Sequence, residues 1–430
     1  MIALRPYQAQ AIDTLRAEYA KGVRRMLLVA PTGFGKTATA SELIRRSVVK
    51  GKRVLFTVHR REIVMDTARR LRAADVPCTI LMAGEAFDEA APVVVASVMS
   101  IVAREHHPAA DFVIWDEAHH TAAKSYADIA ALYPGARHLG LTATPERGDG
   151  VGLRDAFDAL VVGATVSELQ AEGYLAQCDV LAPAAKSKGK LAMSPADAIA
   201  RYADGRSAVV FCGSVAESKA LAAELGETAR HIDGTTPAEE RDASLAAFAS
   251  GAVKVLCNHS VLTEGWDAPI AKVCVLARSI ASPGALIQIA GRVLRPFEGQ
   301  RALGIDLAGN VLELGLPTED RVFTLDGIQR AEKAKRPWLS ACGTCGQVVL
   351  GVKRGEFCSV CGSAWPAKEP LKVKPAELAA VKSGATKATK EEKARVYHHL
   401  RRVGAALGYK AGWAARKYRA RFGVWPRGVG

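Results

Sequence analysis

The chain has 430 residues, 49% hydrophobic and 24% charged, with a formal net charge of +14. This is an ordinary globular composition, with room for two or three domains of roughly 150 residues each. No apolar run approaches the ~18–20 residues of a membrane span, so a helical membrane protein is excluded and no membrane partner is expected.

The opening MIALRPYQAQAIDTL lacks the basic, apolar and small-residue succession of a secretory leader, which makes the cytoplasm the expected location. Nine cysteines suit that compartment as thiols or metal ligands rather than disulfides. Residues 367–430 hold 16 Lys/Arg against 4 Asp/Glu, whereas the first 366 residues are near balance at 42 against 40. A basic tail on a neutral body suggests a polyanionic partner, most often nucleic acid. A merely solubilising tail stays open.

In chain order, strands are predicted at 26–30 (MLLVA), 53–58 (RVLFTV), 93–97 (VVVAS), 111–115 (DFVIW) and 137–141 (RHLGL). The segment 60–74 is predicted as a helix. The pattern restarts with strands at 208–212, 229–233, 253–257, 272–276 and 302–306, separated by helices at 215–226, 237–250 and 284–294. Such alternation means parallel α/β sheets, in two blocks of roughly 1–165 and 186–330. The stretch 182–195, APAAKSKGKLAMSP, reads as the hinge between them. Cys78, Cys178, Cys212, Cys257 and Cys274 fall in or near apolar stretches and read as buried, inert thiols. His106, His107, His398 and His399 read as surface residues.

Residues 30–37, APTGFGKT, follow a strand and precede a helix, as a P-loop requires. Gly33 and Gly35 allow backbone N–H groups to turn towards phosphate oxygens, and the helix N-terminus faces the same anion. Lys36 would reach the β- and γ-phosphates and Thr37 would ligate Mg²⁺. In 111–119, DFVIWDEAH, an acidic pair emerges at the C-terminal end of a buried strand, where open α/β sheets bind ligands. Asp116 can hold Mg²⁺ through water and Glu117 can activate the attacking water.

With these residues in view, the sequence resembles the superfamily 2 helicases of the DEAD/DEAH-box type over residues 4–306. The resemblance implies two tandem RecA-like parallel-sheet domains with ATP between them. LRPYQ (4–8) looks like the adenine-recognition element, with Gln8 reading the base edge and Arg5 and Tyr7 supporting it. VHRRE (58–62) resembles motif Ia, with Arg60 as its phosphate contact, and Ser97 of SVMS falls at motif Ib. LTATP (141–145) is motif III-like, coupling the two sites through Thr142 and Thr144.

In the second block, VVFCGS (209–214) resembles motif IV. NHSVLTEGWDAP (258–269) resembles motif V, in which Thr263 would touch the nucleic-acid backbone and Gly265 and Asp267 would approach the nucleotide. QIAGRVLRP (288–296) resembles motif VI, supplying Gln288, Arg292 and Arg295. The two arginines, three apart on a predicted helix, would share one face. One would serve as an arginine finger while the other holds phosphate or a carboxylate.

Within the superfamily, RPYQ and TEGWDAP resemble the RadD-like and XPB-like branch, which acts mainly on DNA. Asp66 stands where that pattern often has Gln, and DEAH with a following His120 replaces DECH.

Residues 342–361 read C-x₂-C-x₁₂-C-x₂-C. Cys342, Cys345, Cys358 and Cys361 can converge on one tetrahedral Zn²⁺, closed to water and therefore structural. The intervening QVVLGVKRGEF reads as a hairpin whose tip, Lys353 and Arg354, could touch phosphate or water. A Lys-rich linker (367–390) follows. Thr389 and Glu392 fit a capping box, and Val396, Leu400, Val403 and Leu407 form one helical face. A last helix, about 411–422, carries Ala414, Tyr418 and Phe422 on one side and Arg416, Lys417, Arg419 and Arg421 elsewhere. The tail ending GYKAGWAARKYRARFGVWP looks like that of phage-type helicases. It could bind DNA, dock on the core or meet a protein partner.

The expected domains are 1–165, 166–336, a zinc ribbon at 337–366, the linker, and a basic helical tail at 391–430. The expected activity is that of an ATP-dependent DNA helicase or translocase, in repair, recombination or replication. An RNA helicase and an ATP-gated DNA-binding scaffold are the alternatives. ATP, Mg²⁺ and Zn²⁺ are the expected cofactors, and the expected partner is nucleic acid, with DNA ahead of RNA.

Overall fold

A computed structural model of the chain describes residues 4–58, 61–120, 124–147, 150–183, 191–263, 266, 268–328, 339–342, 344–345, 347–350, 357–358, 360–363, 394, 397–398, 400–401, 412–422 and 425–426. The chain divides into two compact units, Met1–Lys368 and Glu369–Gly430.

The first unit opens with α1 (Pro6–Ala20), which starts on a proline whose missing N–H is no loss in a first turn. Strands and helices then alternate: β1 (Arg25–Val29), α2 (Lys36–Val48), β2 (Val54–Val58), α3 (Arg61–Ala73), β3 (Cys78–Leu81), β4 (Val93–Ser97), α4 (Val98–Val102), β5 (Phe112–Trp115), α5 (Lys124–Leu132), β6 (Arg137–Thr142) and β7 (Ala159–Val162). The strands form a parallel seven-stranded sheet in the order β3-β4-β2-β5-β6-β1-β7. VLFTV and VVVAS are buried at every position because both faces of the sheet are covered. The two strands not anticipated from sequence, β3 and β7, are its edges. Both are four-residue strands, short enough to be passed over in a sequence reading.

The chain continues through α6 (Val166–Ala171), capped by Thr165, whose Oγ1 accepts from the Glu168 amide at 3.2 Å. It then builds β8 (Cys178–Leu181), α7 (Pro195–Tyr202), β9 (Ser207–Cys212), α8 (Val215–Leu225), β10 (Ala229–Ile232), α9 (Ala238–Ala249), β11 (Val255–Asn258), β12 (Ala271–Ala277), α10 (Pro283–Ala290), β13 (Ala302–Asp306) and α11 (Asn310–Leu314). The second sheet is also parallel, in the order β10-β11-β9-β12-β13-β8.

Membership of β8 in this sheet corrects the expected hinge. The segment 182–195 lies inside the second domain, between β8 and α7, and the chain crosses between sheets over 163–177. The crossing is not polar and loose: Leu169 and Leu175 are buried in the main core. A polar, basic composition marks exposure, which an ordinary surface loop shares with a hinge.

After α11, a small hairpin of β14 (Phe323–Thr324) and β15 (Gly327–Ile328) returns to the first domain. Leu325 is buried in that domain's core, its carbonyl accepts from the Leu153 amide at 2.7 Å, and Asp326 pairs with Arg154 at 2.6 Å. Two passages of chain therefore fasten the domains together.

In the cysteine module, β16 (Leu339–Ala341) pairs antiparallel with β17 (Val348–Leu350). This pair turns through the first Cys-x₂-Cys knuckle, and the expected hairpin tip with Lys353 and Arg354 lies outside the described residues. Gln347 bridges to Leu181, and Val348 is buried in the core cluster that includes Val180. In the second unit, α12 (Trp413–Phe422) buries Ala414 and Tyr418, the latter against Tyr397 with ring centroids 5.5 Å apart. The linker, the Thr389–Glu392 capping box, and Val396, Val403 and Leu407 lie outside the described residues.

Candidate active site: a cleft between the two sheets

Three adjacent strands, β5, β6 and β1, end at one edge of the first sheet. Their C-terminal ends deliver DEAH, LTATP and APTGFGKT to the same place. Gly35, in the left-handed region at φ 90°, turns the chain into α2. A side chain there would collide with the Gln8 amide as well as strain the backbone. Lys36 is the first residue of α2, and its Nζ donates to the Ala30 carbonyl at 3.1 Å. Burial pushes its ammonium below the ordinary lysine value, while Glu117 and Asp116 pull it back up.

Asp116 follows β5 and its Oδ1 accepts from the Glu117 amide at 3.0 Å. Glu117 itself sits at φ 47°, an uncommon conformation for a residue with a Cβ, and its buried Oε2 has no hydrogen bond. Such a backbone turns the carboxylate out of the direction of the strand.

The second domain contributes the turn after β11 and α10, which follows the C-terminal end of β12. α10 begins at Ser282, whose Oγ accepts from the Ala285 amide at 3.2 Å, with Pro283 in the first turn. The helix ends at Ala290 and tightens into a 3₁₀ turn over Gly291–Val293. A Cβ on Gly291 would lie 2.7 Å from Thr32 Cβ of the P-loop, so a glycine is needed for the two domains to touch there. This corrects the expectation of one helix over 284–294 with Arg292 and Arg295 on a common face, since Arg295 lies beyond the helix. Tertiary contact with the P-loop outweighs the helical pattern of the sequence.

Both arginines nevertheless line the same cleft of about 600 Å³, with Arg5, Gln8, Gly33, Gly35, Lys36, Thr37, Asp116 and Glu117. They are held differently. Arg292 is buried and donates to its own domain, from Nε to the Thr263 carbonyl at 3.1 Å and from Nη1 to the Trp266 carbonyl at 2.8 Å. Arg295 is pushed down to about 10 by burial, with Arg70 adding repulsion. A cavity of about 720 Å³ at the opposite edge of the first sheet, near Tyr19 and Lys50, contains none of these groups.

A line of polar contacts joins the carboxylate to the second domain. His119 Nδ1 lies 3.5 Å from Glu117 Oε2 and 3.3 Å from Thr142 Oγ1. Thr142 Oγ1 donates to the Thr144 carbonyl at 2.8 Å, and Gln288 Nε2 reaches Thr144 Oγ1 at 3.4 Å.

The remaining predicted residues divide. Gln8 is a staple between α1 and the P-loop: its Nε2 donates to the Phe34 carbonyl at 2.9 Å and its Oε1 accepts from the Arg5 amide at 2.9 Å. Tyr7 OH donates to the same Phe34 carbonyl at 3.2 Å, and Arg5 Nη1 donates to Tyr7 OH at 2.9 Å. Ser97 is the N-cap of α4, its Oγ accepting from the Ser100 amide at 3.1 Å. Arg416, Lys417 and Arg419 are exposed on α12, with the Arg419 guanidinium 4.8 Å from the Trp425 ring centroid. Arg60, Gly265 and Asp267 lie outside the described residues.

Two cleft residues escaped the sequence reading. Tyr174 lines the cleft, carries the Arg5 guanidinium 4.7 Å from its ring centroid and meets the Tyr7 ring at 5.0 Å. Arg70 also lines it and pairs with Asp66 at 2.5 Å. Neither belongs to a motif, although the i, i+4 spacing of Asp66 and Arg70 on α3 was a signal for the pair.

The four module cysteines have all Sγ atoms within 4.8 Å of one another, with Cys342–Cys361 and Cys345–Cys358 each at 3.7 Å. Tetrahedral thiolates at ~2.3 Å from one ion stand about 3.8 Å apart, so the donor set fits a four-cysteine metal centre. Hydrogen bonds from the Ser363 side chain and backbone push the Cys361 thiol down to about 6. By contrast, burial pushes Cys257 up to about 12 and Cys212 up to about 11, which keeps them protonated and inert.

Residues 1–147 match the family described as type III restriction enzyme, res subunit, and residues 193–296 match the helicase conserved C-terminal domain. A 51.5 kDa protein of a Lactococcus phage is 29% identical, the match covering 68% of this chain and 67% of that protein. The putative mitochondrial ATP-dependent helicase irc3 of Schizosaccharomyces pombe is 28% identical, covering 77% and 61%. The DNA 3'-5' translocase XPB2 of Sulfurisphaera tokodaii is 33% identical over 152 residues, 35% of this chain and 32% of that one. Among solved structures, a fragment of a putative HsdR subunit of a type I restriction enzyme from Vibrio vulnificus YJ016 superposes with a TM-score of 0.58 at 22% identity, covering 72% and 65%. The chain therefore spans about two thirds or less of the length of these relatives.

Proposed function

We propose that the chain is a superfamily 2 helicase and that it couples ATP hydrolysis to movement along DNA. The observation that carries this reading is the shared cleft, where Lys36, Asp116 and Glu117 of one domain face Arg292 and Arg295 of the other. Lys36 and the P-loop amides bind the triphosphate. Glu117, with a buried oxygen free of hydrogen bonds, accepts the proton of the attacking water. Arg295 stabilises charge on the transferring phosphoryl group, an effect worth ~10³–10⁵ in rate in comparable systems.

Thr37 and Asp116 line the same cleft and would hold Mg²⁺, which neutralises phosphate charge when bound. Gln8 and Tyr174 flank the adenine end. The contacts Glu117–His119–Thr142–Thr144–Gln288 couple hydrolysis to domain movement, because each end of the line belongs to a different domain. Arg60, Thr263 and the end of α4 near Ser97 meet the nucleic-acid backbone, and Arg416, Lys417 and Arg419 add a second basic contact. The four cysteines hold a structural Zn²⁺. DNA repair or recombination is the setting this activity suits.

Steady-state ATP hydrolysis with no nucleic acid, single-stranded, duplex and forked DNA, and RNA tests this. Stimulation by DNA, lost in Lys36→Ala, supports the reading. Stimulation mainly by RNA would change the substrate, and a rate that no nucleic acid alters would sink the motor.

A further inference from the structure

Lys272 has no exposed surface and lies in the apolar strand AKVCVLA. Burying an ammonium is costly unless it is well bonded, so its place there calls for a partner. β12 pairs with β9 as Ala271↔Ser207 and then Val273↔Ala208, which leaves Lys272 as the extra residue of a bulge. A bulge re-aims a side chain. Here Lys272 Nζ donates to the main-chain carbonyl of Arg295 and stands 5.9 Å from the Phe297 ring centroid. Burial pushes the ammonium down to about 8, so it is mostly charged at neutral pH and the hydrogen bond is charge-assisted.

The two cleft arginines need different supports. Arg292 is fixed through its own guanidinium by two carbonyls of its domain. Arg295 lies past the 3₁₀ turn and before Pro296, outside any helix or strand. Its backbone has no regular ladder to define where the side chain begins.

We propose that Lys272 is a positioning residue for hydrolysis: from a bulge in β12 it holds the Arg295 carbonyl and so sets the reach of the Arg295 guanidinium into the nucleotide cleft. The inference rests on the proposed ATPase reading. It goes beyond it by assigning a role to a residue outside every motif.

A double-mutant cycle tests it, with wild type, Lys272→Met, Arg295→Ala and the double variant. Met keeps the length and apolar stem of lysine and removes the donor. Values of kcat and KM for ATP are measured on saturating single-stranded DNA, with fluorescent nucleotide binding and thermal melting alongside. Lys272→Met should lower kcat by ~10–100-fold, the effect of a displacement on the order of 1 Å. KM and nucleotide affinity should stay within about twofold, since ground-state binding is untouched. Melting should not fall, and the Lys272 effect should vanish in the Arg295→Ala background.

Wild-type kcat in Lys272→Met, or an equal loss with and without Arg295, overturns the proposal in favour of a purely structural lysine. If Lys272→Met does not fold, Lys272→Leu, which also removes the donor, takes its place in the same cycle under the same criterion. Absence of Lys36-dependent hydrolysis in wild type would instead sink the ATPase reading. An Arg295→Ala protein as active as wild type would remove the role that Lys272 serves.

Discussion

The two lips of the cleft are built on different principles. On the first domain, the cleft side chains follow strand ends closely: Lys36 at the end of the loop after β1, Asp116 and Glu117 directly after β5, and Thr142 and Thr144 at the end of β6. Local backbone geometry aims them, through the φ 90° of Gly35 and the φ 47° of Glu117. On the second domain, the contacts come from far along the chain: the Arg292 guanidinium donates to the Thr263 and Trp266 carbonyls, and the Arg295 carbonyl accepts from Lys272. In the proposed reading the first lip is the cradle for phosphate. The second depends on the packing of several elements, which would suit the proposed coupling to domain movement.

The largest expected effect falls on the first lip. Lys36→Ala should reduce ATP hydrolysis by on the order of 10³-fold or more, with weakened nucleotide binding, because it removes the cation that the triphosphate meets in the cradle. Phosphate release in a coupled assay measures it. On the second lip, Arg295→Ala should lose ~10³-fold in kcat while still binding ATP, since an arginine finger acts on the transition state rather than the ground state. If Arg295→Ala lost affinity as severely as Lys36→Ala, the distinction between cradle and reporter would fail.

Arg292→Ala sharpens the comparison differently. Arg292 is almost fully buried, and its removal leaves the carbonyls of Thr263 and Trp266 without its donors. Each buried group left unpaired costs about 1–3 kcal/mol, so this variant should melt several degrees lower. Arg295→Ala should not. Calorimetry on the two variants side by side gives the answer. Gln288→Ala, which cuts the contact with Thr144 across the domains, should have a smaller effect, roughly 10-fold on nucleic-acid-stimulated hydrolysis, with basal hydrolysis nearly unchanged. Equal loss of both rates would mean that the contact serves the chemistry and not the coupling.

The same contrast decides what could be read from sequence. APTGFGKT and DEAH are contiguous, and their spacing alone pointed to the first lip, while the central strands of both sheets were legible and β3, β7 and β8 were not. QIAGRVLRP named two arginines that do line the cleft, with the wrong geometry. Its apolar period continues past Ala290, but the approach of Gly291 to Thr32 ends the regular helix. Lys272 looked like a charge in a strand, and only the bulge and the Arg295 carbonyl explain it. Tyr174 was invisible because it sits on the crossing between domains, and that crossing had been assigned to the more polar 182–195.

The smallest expected effect on hydrolysis comes from the cysteine module, which lies apart from the cleft while sharing the second domain's core. Val348 is buried in that core cluster and Gln347 bridges to Leu181 of the edge strand β8, so the module is fastened at the border of the sheet. Apart from Tyr174 on the crossing, the cleft residues of the second domain come from the turns before β12 and after α10, and β13 stands between β12 and β8. Removing metal with a strong chelator should therefore release about one zinc per chain, measured by a chromogenic assay. It should also lower the melting temperature, yet change basal ATP hydrolysis by less than about twofold at temperatures below the melt, because sites separated without shared partners act nearly independently. A collapse of hydrolysis on chelation would show that the edge strand transmits strain to β12, and the second lip would then have to include the cysteine module.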